Sequence, residues 1–421
     1  MDNAPQADIA VIGAGIAGLV AARALAERGR NVVLIEAQER IGGRILTVRD
    51  PATDLPVELG AEFVHGSPPE LLNLIREAGL SLYERKGEFV CYEKGELGDC
   101  GLFDEAFEIL DDLPEAPDLP FAEFIAQRHP PEKIASRATA YVEGFNAADA
   151  NRIGTAALRK QQQAEASIGG DRSFRIVEGY DRLAAFLRDR IVAFGGQLHL
   201  NTPVTAIRWK SGEVRITTSN PALPEIRATR AVVAVPLGVL QSGSLLMVPA
   251  PSRSVEAIRN LAMGSATRIT LLFREPFWKS SAPNLSFLFA QESPLPTWWT
   301  AAPNNSPTLT GWIAGSRALN AASGTVLRNQ ALAALATIFR RSDLSDLLVS
   351  FHTHDWQSDP FSRGGYSYAP SGAINASDEL AIPVDKTLYF AGEHTDTTGH
   401  WGTVHAALRS GLRAAAQILA G

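Results

Sequence analysis

Residues 8–44 read DIAVIGAGIAGLVAARALAERGRNVVLIEAQERIGGR, and their pattern decides the fold. Asp8 to Ile12 is a short, almost wholly apolar run, as expected of a strand buried on both faces of a parallel sheet. Gly13, Ala14 and Gly15 turn the chain. Ile16 to Arg28 is rich in Ala and Leu and predicts a helix, and Val32 to Ile35 predicts a second strand that ends in Glu36. The three glycines serve different ends. Gly13 permits the tight turn, Gly15 lets backbone approach a pyrophosphate, and Gly18 lets the helix pack on the strand. The amides at the helix start, around Ile16 and Ala17, present the positive end of the helix dipole to phosphates. Glu36, followed by Ala37, stands where a carboxylate accepts hydrogen bonds from a ribose. The stretch predicts dinucleotide binding without choosing between a nicotinamide and a flavin. The second glycine turn, Gly42-Gly43-Arg44, brings another backbone segment and a cation to the same ligand, which favours a long cofactor held from several sides.

The rest of the composition sets bounds. At 421 residues the chain is long enough for two domains. A 45% hydrophobic and 20% charged composition is that of a soluble globular protein. The net charge of -7 argues against a nucleic-acid surface and leaves no membrane-binding patch. Cys91 and Cys100 have no CxxC spacing and no histidine cluster beside them. A metal site is not expected, and a structural disulfide is open but unsupported by the spacing. The first strand begins by Asp8, which leaves no room for a secretory signal, and the expected location is cytoplasmic.

Farther along, Val57 to Gly66 (VELGAEFVHG) opens with a short strand. Gly60 and Ala61 are small enough to pass against a flat ring, and Glu62 and His65 are polar groups in an apolar setting. Leu71 to Ala78 predicts a helix. From Tyr83 to about Val177, proline clusters separate helical segments at 121–128, 134–145 and 155–164, which reads as a mostly helical insert. An amphipathic helix over 179–194 precedes short strands at 197–200, 204–210, 214–218 and 231–235. Arg268 to Phe273 starts a strand-rich region containing Phe277, Trp278, Trp298, Trp299 and Trp312. Core packing is the ordinary reading of each, and lining an apolar pocket is the functional one. Val326 to Arg340 predicts another helix. Near the end, a strand at 388–390 runs into Ala391-Gly392-Glu393-His394-Thr395, and Gly402-Thr403-Val404-His405 opens the last helix. Amides at that helix start can face a group that becomes negative.

Taken together these segments resemble the flavin-containing amine oxidases: monoamine oxidases, polyamine oxidases and flavin-dependent histone demethylases. The likeness runs through GAGIAGLVAARAL, ERIGGR, LGAEFVHG, AVPLGVL (234–240), REPFW (274–278), RGGYSYAP (363–370), FAGEHT and GTVHAALRSGLRAA. It implies an α/β protein with a Rossmann-like FAD-binding domain of discontinuous segments (1–78, 178–262 and 355–421) and an α+β substrate domain (79–177 and 263–354). It also implies that Glu36 binds the adenosine ribose, Arg44 lies near the phosphates or ribityl chain, and Val204 meets the adenine through its backbone. Glu393, after Gly392, contacts the cofactor, Thr403 and Val404 contact the flavin, and Trp356 packs near the isoalloxazine. Tyr366 matches one wall of an aromatic cage, with His400 and Trp401 as candidates for the other. Two departures stand out. Gly364-Gly365-Tyr366 replaces a cysteine-bearing motif that tethers flavin in monoamine oxidases, so the FAD is expected to be noncovalent. Arg268 stands where the family commonly has a lysine, which puts fast reaction with dioxygen in doubt.

The reaction expected from this resemblance is oxidation of an amine to an imine, hydrolysed to a carbonyl compound, with dioxygen or another electron acceptor. Glu62 and His65 are expected nearest the substrate. Glu62 either pairs with a second nitrogen of a di- or polyamine or hydrogen-bonds local backbone. Alternatives on the same scaffold are a flavin dehydrogenase, a desaturase or an L-amino acid oxidase, with Arg268 a candidate for a substrate carboxylate. A further alternative is a binding protein in which FAD is structural.

Overall fold

Val32–Ile35 is buried at every position, as is the second half of Gln6–Ile12, because both strands lie inside a sheet covered on its two faces. The computed structural model describes residues 6–101, 103–114 and 116–421. The first five residues of the expected first segment lie outside the described residues. Gln197–His199, Val32–Ile35, Gln6–Ile12 and Glu225–Val233 pair in parallel in that order, and Leu388–Phe390 adds a further parallel partner to Glu225–Val233. The other side of Glu225–Val233 continues into the antiparallel strands Glu213–Thr218 and Val204–Lys210.

Alternation along these strands sorts side chains to two cores. Ile9, Val11, Leu34 and Val232 pack under the helices Ile16–Ala26, Tyr180–Ala193 and Val404–Ala420. Ala10, Ile12, Val33 and Val233 pack on the opposite face with Leu261, Leu380 and Phe390. The doubly covered, largely parallel sheet is the α/β arrangement that the opening stretch predicts.

A second sheet runs Leu348–Thr353, Ala266–Phe273, Thr308–Ala314, Thr297–Thr300, Leu285–Phe289, Glu88–Glu93 and Glu96–Asp99. The helix Gly324–Phe339 covers one of its faces. Four helices follow Glu96–Asp99 in the chain: Phe103–Asp111, Phe121–Arg128, Glu132–Asn146 and Thr155–Ser167. The expected mostly helical character from Tyr83 therefore needs correction over 82–99. That stretch forms three strands, two of them a hairpin that adds to the second sheet. The hairpin sets Cys91 opposite Gly98, and Cys91 and Cys100 are disulfide-bonded with Cα atoms 5.1 Å apart. Spacing alone did not support that bond; the antiparallel pairing creates it. Among the described residues no helix is long and apolar enough to cross a membrane.

Candidate active site

The first glycine turn is built to stay open. Gly13 has φ +99°, and a Cβ there would lie 2.7 Å from the Ala234 carbonyl. A Cβ on Gly18 would collide with the Gly13 carbonyl, so helix and strand approach more closely than any side chain allows. The second glycine turn docks on the first: the Gly42 N–H donates to Ala14 O (2.8 Å) and Gly42 bridges Gly15. Glu36 sits at the strand end, its carboxylate accepting from the N–H groups of Ala14 (2.7 Å) and Gln38 (2.9 Å). Burial raises its pKa, although those amides oppose the shift.

These turns open on a cavity of about 1290 Å³ that reaches into the space between the two sheets. Gly13, Gly15, Ile16, Ala17, Glu36, Ala37, Gly43, Arg44, Gly60, Ala61, Val204, Trp356, Gly392, Glu393, Thr403 and Val404 all border it. Gly18 lies beneath the wall, where helix and strand pack. Glu393 joins distant segments. It accepts from Arg44 Nη1 (2.8 Å), Ser367 Oγ (2.6 Å) and the Gly402 N–H (3.0 Å). Burial opposes its ionisation, yet Arg44, His394 and these donors hold its carboxyl below the usual range. Trp356 is fixed by its indole N–H to Leu59 O (2.8 Å). Thr403 caps the last helix, its Oγ1 accepting from the Ala406 N–H (3.1 Å).

The model of the family described as flavin containing amine oxidoreductase matches residues 16–116 and 103–419. Polyamine oxidase 2 of Arabidopsis thaliana is 31% identical over 448 residues, covering 97% of this chain and 87% of that protein. Polyamine oxidase 3 of Oryza sativa subsp. japonica is 32% identical, covering 96% and 87%. The chain belongs to the flavin-containing amine oxidoreductases. Solved structures share the fold: putrescine oxidase with bound putrescine superimposes at TM-score 0.84 with 21% identity over 99% of each chain. Cyclohexylamine oxidase from Brevibacterium oxydans IH-35A does so at 0.83 with 22% identity, over 98% of this chain and 99% of that one.

As a member of this family the protein is an FAD-dependent amine oxidoreductase, and the cavity fits the cofactor. A Cβ on Gly15 would meet nothing within 4 Å, so the helix start faces free space wide enough for a phosphate. Glu36, Arg44 and the cap at Thr403 border the same space at separate points.

Next to this cradle the oxidoreductase has a buried ion cluster. Arg268 is 4% exposed and lies on the cavity side of its strand, whereas Ile269 and Leu271 point into the second sheet's core. Its Nη2 pairs with Glu62, and its Nη1 donates to Gly60 O (3.1 Å). Glu62 also receives Arg175 Nη1 (3.1 Å) and the Trp299 indole N–H (3.1 Å). Burial opposes its charge, but Arg175, Arg268 and Arg85 hold its carboxyl below the usual range. Two expectations change here. Glu62 is neither free for a substrate nitrogen nor bound to local backbone, because both its oxygens are held by arginines. Arg268 gives Nη2 to Glu62 and Nη1 to Gly60 O, and its Nε is buried without a partner.

His65 borders the cavity between Phe63 and Phe145, and burial with the nearby Arg85 charge pushes it down to about 4. Tyr366 and Trp401 border it too, Tyr366 anchored by its hydroxyl to Phe145 O (2.6 Å) and Trp401 by its indole N–H to Asp396 O (2.9 Å). His400 does not reach the cavity wall. Its Nε2 faces Ala164 O (3.0 Å) and its Nδ1 faces Arg409 Nη1 (2.7 Å), so of the two candidates only Trp401 borders the cavity. Of the tryptophans and phenylalanine singled out, Trp299 and Trp312 line the cavity, and Phe277, Trp278 and Trp298 pack in the core. Sequence reasoning missed Arg85, Arg175, Tyr141, Phe145 and Glu165. The strand Ser173–Ile176 carries Arg175, and a charged residue in an apolar run was its one available signal.

Proposed function

We propose that the enzyme oxidises an amine whose chain carries a second, protonated nitrogen, a di- or polyamine, with dioxygen as electron acceptor. The observation that carries this reading is Glu165. It borders the cavity, has Gln161 Nε2 as a hydrogen-bond donor (3.2 Å), and burial pushes it up to about 7. An ammonium beside it would draw the carboxylate back to its charged form and gain a charge-assisted hydrogen bond. Tyr141, stacked on Phe145 (centroids 5.5 Å apart, 8° between planes), adds an aromatic surface for the connecting methylenes. The names of the curated relatives, polyamine oxidases, agree with this class.

In this reading Tyr366 and Trp401 flank the reacting nitrogen and exclude water from it. The nitrogen must be neutral, because a protonated one has no lone pair to support loss of hydride from its neighbouring carbon. His65, held uncharged, accepts a hydrogen bond from it, and the guanidiniums of Arg268 and Arg85 disfavour an ammonium. Bound FAD supplies the two-electron acceptor. Water then hydrolyses the imine to a carbonyl compound, and one dioxygen becomes one hydrogen peroxide. Both cysteines are bonded to each other, which supports noncovalent FAD. The Cys91–Cys100 disulfide belongs to an oxidising environment and argues against the expected cytoplasmic location, and a free-thiol assay on the native protein decides between the two.

The test is anaerobic reduction of the holoenzyme by putrescine and by butylamine. Glu165→Gln is expected to weaken apparent binding of putrescine about tenfold and that of butylamine little. Equal effects on both would overturn the assignment of Glu165, and no reduction by any amine would overturn the reading itself.

A further inference from the structure

Arg85 follows the strand Leu82–Glu84, and its backbone N–H donates to Ser173 O (2.9 Å), which fixes the side chain's point of entry into the cavity. The side chain is about nine-tenths buried. Its guanidinium carbon lies 4.1 Å from the Phe287 ring centroid and 4.8 Å from that of Phe63. Two aromatic rings therefore take contact with the guanidinium and leave its hydrogen-bonding edge to be satisfied. Nη2 donates to Ser286 Oγ (3.0 Å), and Nε is buried without a partner, so the Nη edge is the one a ligand in the cavity can reach. Among the described residues no carboxylate lies within ion-pair distance of it.

Its neighbours do not supply the missing charge. Glu62 is the nearest ionised acid, and Arg175 and Arg268 hold both its oxygens. Glu58, on the far side of Arg175, is pushed up to about 7 by burial, and the Tyr83 hydroxyl is raised by burial. His65 is neutral. Three guanidiniums thus converge on one committed carboxylate, and two of them, Arg85 and Arg268, border the cavity. A buried cation without a close counter-ion is strongly unfavourable unless a ligand completes it. A planar carboxylate matches a guanidinium edge through two parallel hydrogen bonds.

We propose that Arg85 binds a carboxylate carried by the substrate, so that the preferred amine bears a carboxylate in addition to its nitrogens. This deepens the amine-oxidation reading and rests on it. Arg85 then determines specificity, and the cavity is bipolar: Arg85 recognises the anionic arm and Glu165 the cationic one.

Two measurements on the holoenzyme test the proposal. In the first, carboxylates that cannot be oxidised, acetate through heptanoate, are titrated calorimetrically into the wild type, Arg85→Met and Arg85→Lys. At least one chain length is expected to bind, with affinity about tenfold or more lower in Arg85→Met and partly kept in Arg85→Lys. In the second, anaerobic reduction compares pairs that differ by a carboxylate arm: putrescine with ornithine, cadaverine with lysine, and spermidine with N-(2-carboxyethyl)putrescine. The wild type is expected to favour the carboxylate-bearing member of at least one pair, and Arg85→Met to reverse that preference. Flavin content and thermal unfolding of each variant report folding, and Arg85→Lys keeps the test decisive if Arg85→Met does not fold. Carboxylates that bind no better than the matching alcohols, with unchanged pair ratios in the variants, would overturn the proposal while leaving amine oxidation standing. Carboxylate binding in an enzyme that no amine reduces would instead overturn the amine reading.

Discussion

Glu62 is the residue whose removal should be felt most widely. Glu62→Gln leaves Arg175 and Arg268 buried without a counter-ion, and a cost of about 3–5 kcal/mol in unfolding free energy is expected. Denaturant titration of the variant checks this, and near-neutral behaviour would mean that the cluster is hydrated. His394 offers a test with a pH dependence. It is fully buried, both ring nitrogens lack a partner, and burial pushes it down to about 4. The unfolded chain takes up a proton near 6.5 while the folded chain refuses it, so stability falls as pH drops from 6.5 towards 4. His394→Leu removes this loss. Its stability relative to the wild type should improve by about 1.4 kcal/mol per pH unit over that range, measured by denaturation at pH 7, 6 and 5. A difference that does not vary with pH would sink the argument. Residues of this kind were the least legible in the sequence. Glu62 and Arg268 are 206 positions apart, and nothing local marks one as the partner of the other.

Elements were more legible because their signals are local. The strand at 32–35, the helix at 121–128 and the strand at 388–390 follow directly from apolar runs and their bounding turns. The hairpin Glu88–Asp99 escaped because Glu88, Glu93, Glu96 and Asp99 dilute the apolar alternation, and its pairing with Leu285–Phe289 is remote in sequence. The last helix carries a prediction at this scale. Thr403→Ala removes the hydroxyl that caps it and should cost about 1 kcal/mol. Because Thr403 also borders the cavity, FAD affinity should fall in the same variant, whereas Thr403→Ser should keep most of both. Calorimetry with and without added FAD separates the two effects.

At the scale of the whole molecule, the cofactor cradle and the amine pocket are one continuous cavity between two sheets. Ligand binding and global stability are therefore linked. Stripping FAD should lower the unfolding temperature, and at free FAD about a thousandfold above its dissociation constant the stabilisation should approach about 4 kcal/mol. The dinucleotide half of this cavity was readable from its glycine turns, since phosphate binding demands small residues at set spacing. The other half was readable only in part: Glu62, His65, Arg268, Tyr366 and Trp401 stood out, whereas Arg85, Tyr141, Phe145 and Glu165 did not, because they are single side chains on segments without a motif.

Glu393 ties Arg44 to Ser367 and Gly402, so the cradle closes only when segments 349 residues apart are both present. During synthesis the first glycine turn leaves the ribosome early, yet its carboxylate latch arrives 349 residues after Arg44. Flavin capture then waits for the segment that carries Glu393, and nascent chains that lack it stay cofactor-free. Supply of FAD would govern how much completed protein matures, not how much is made.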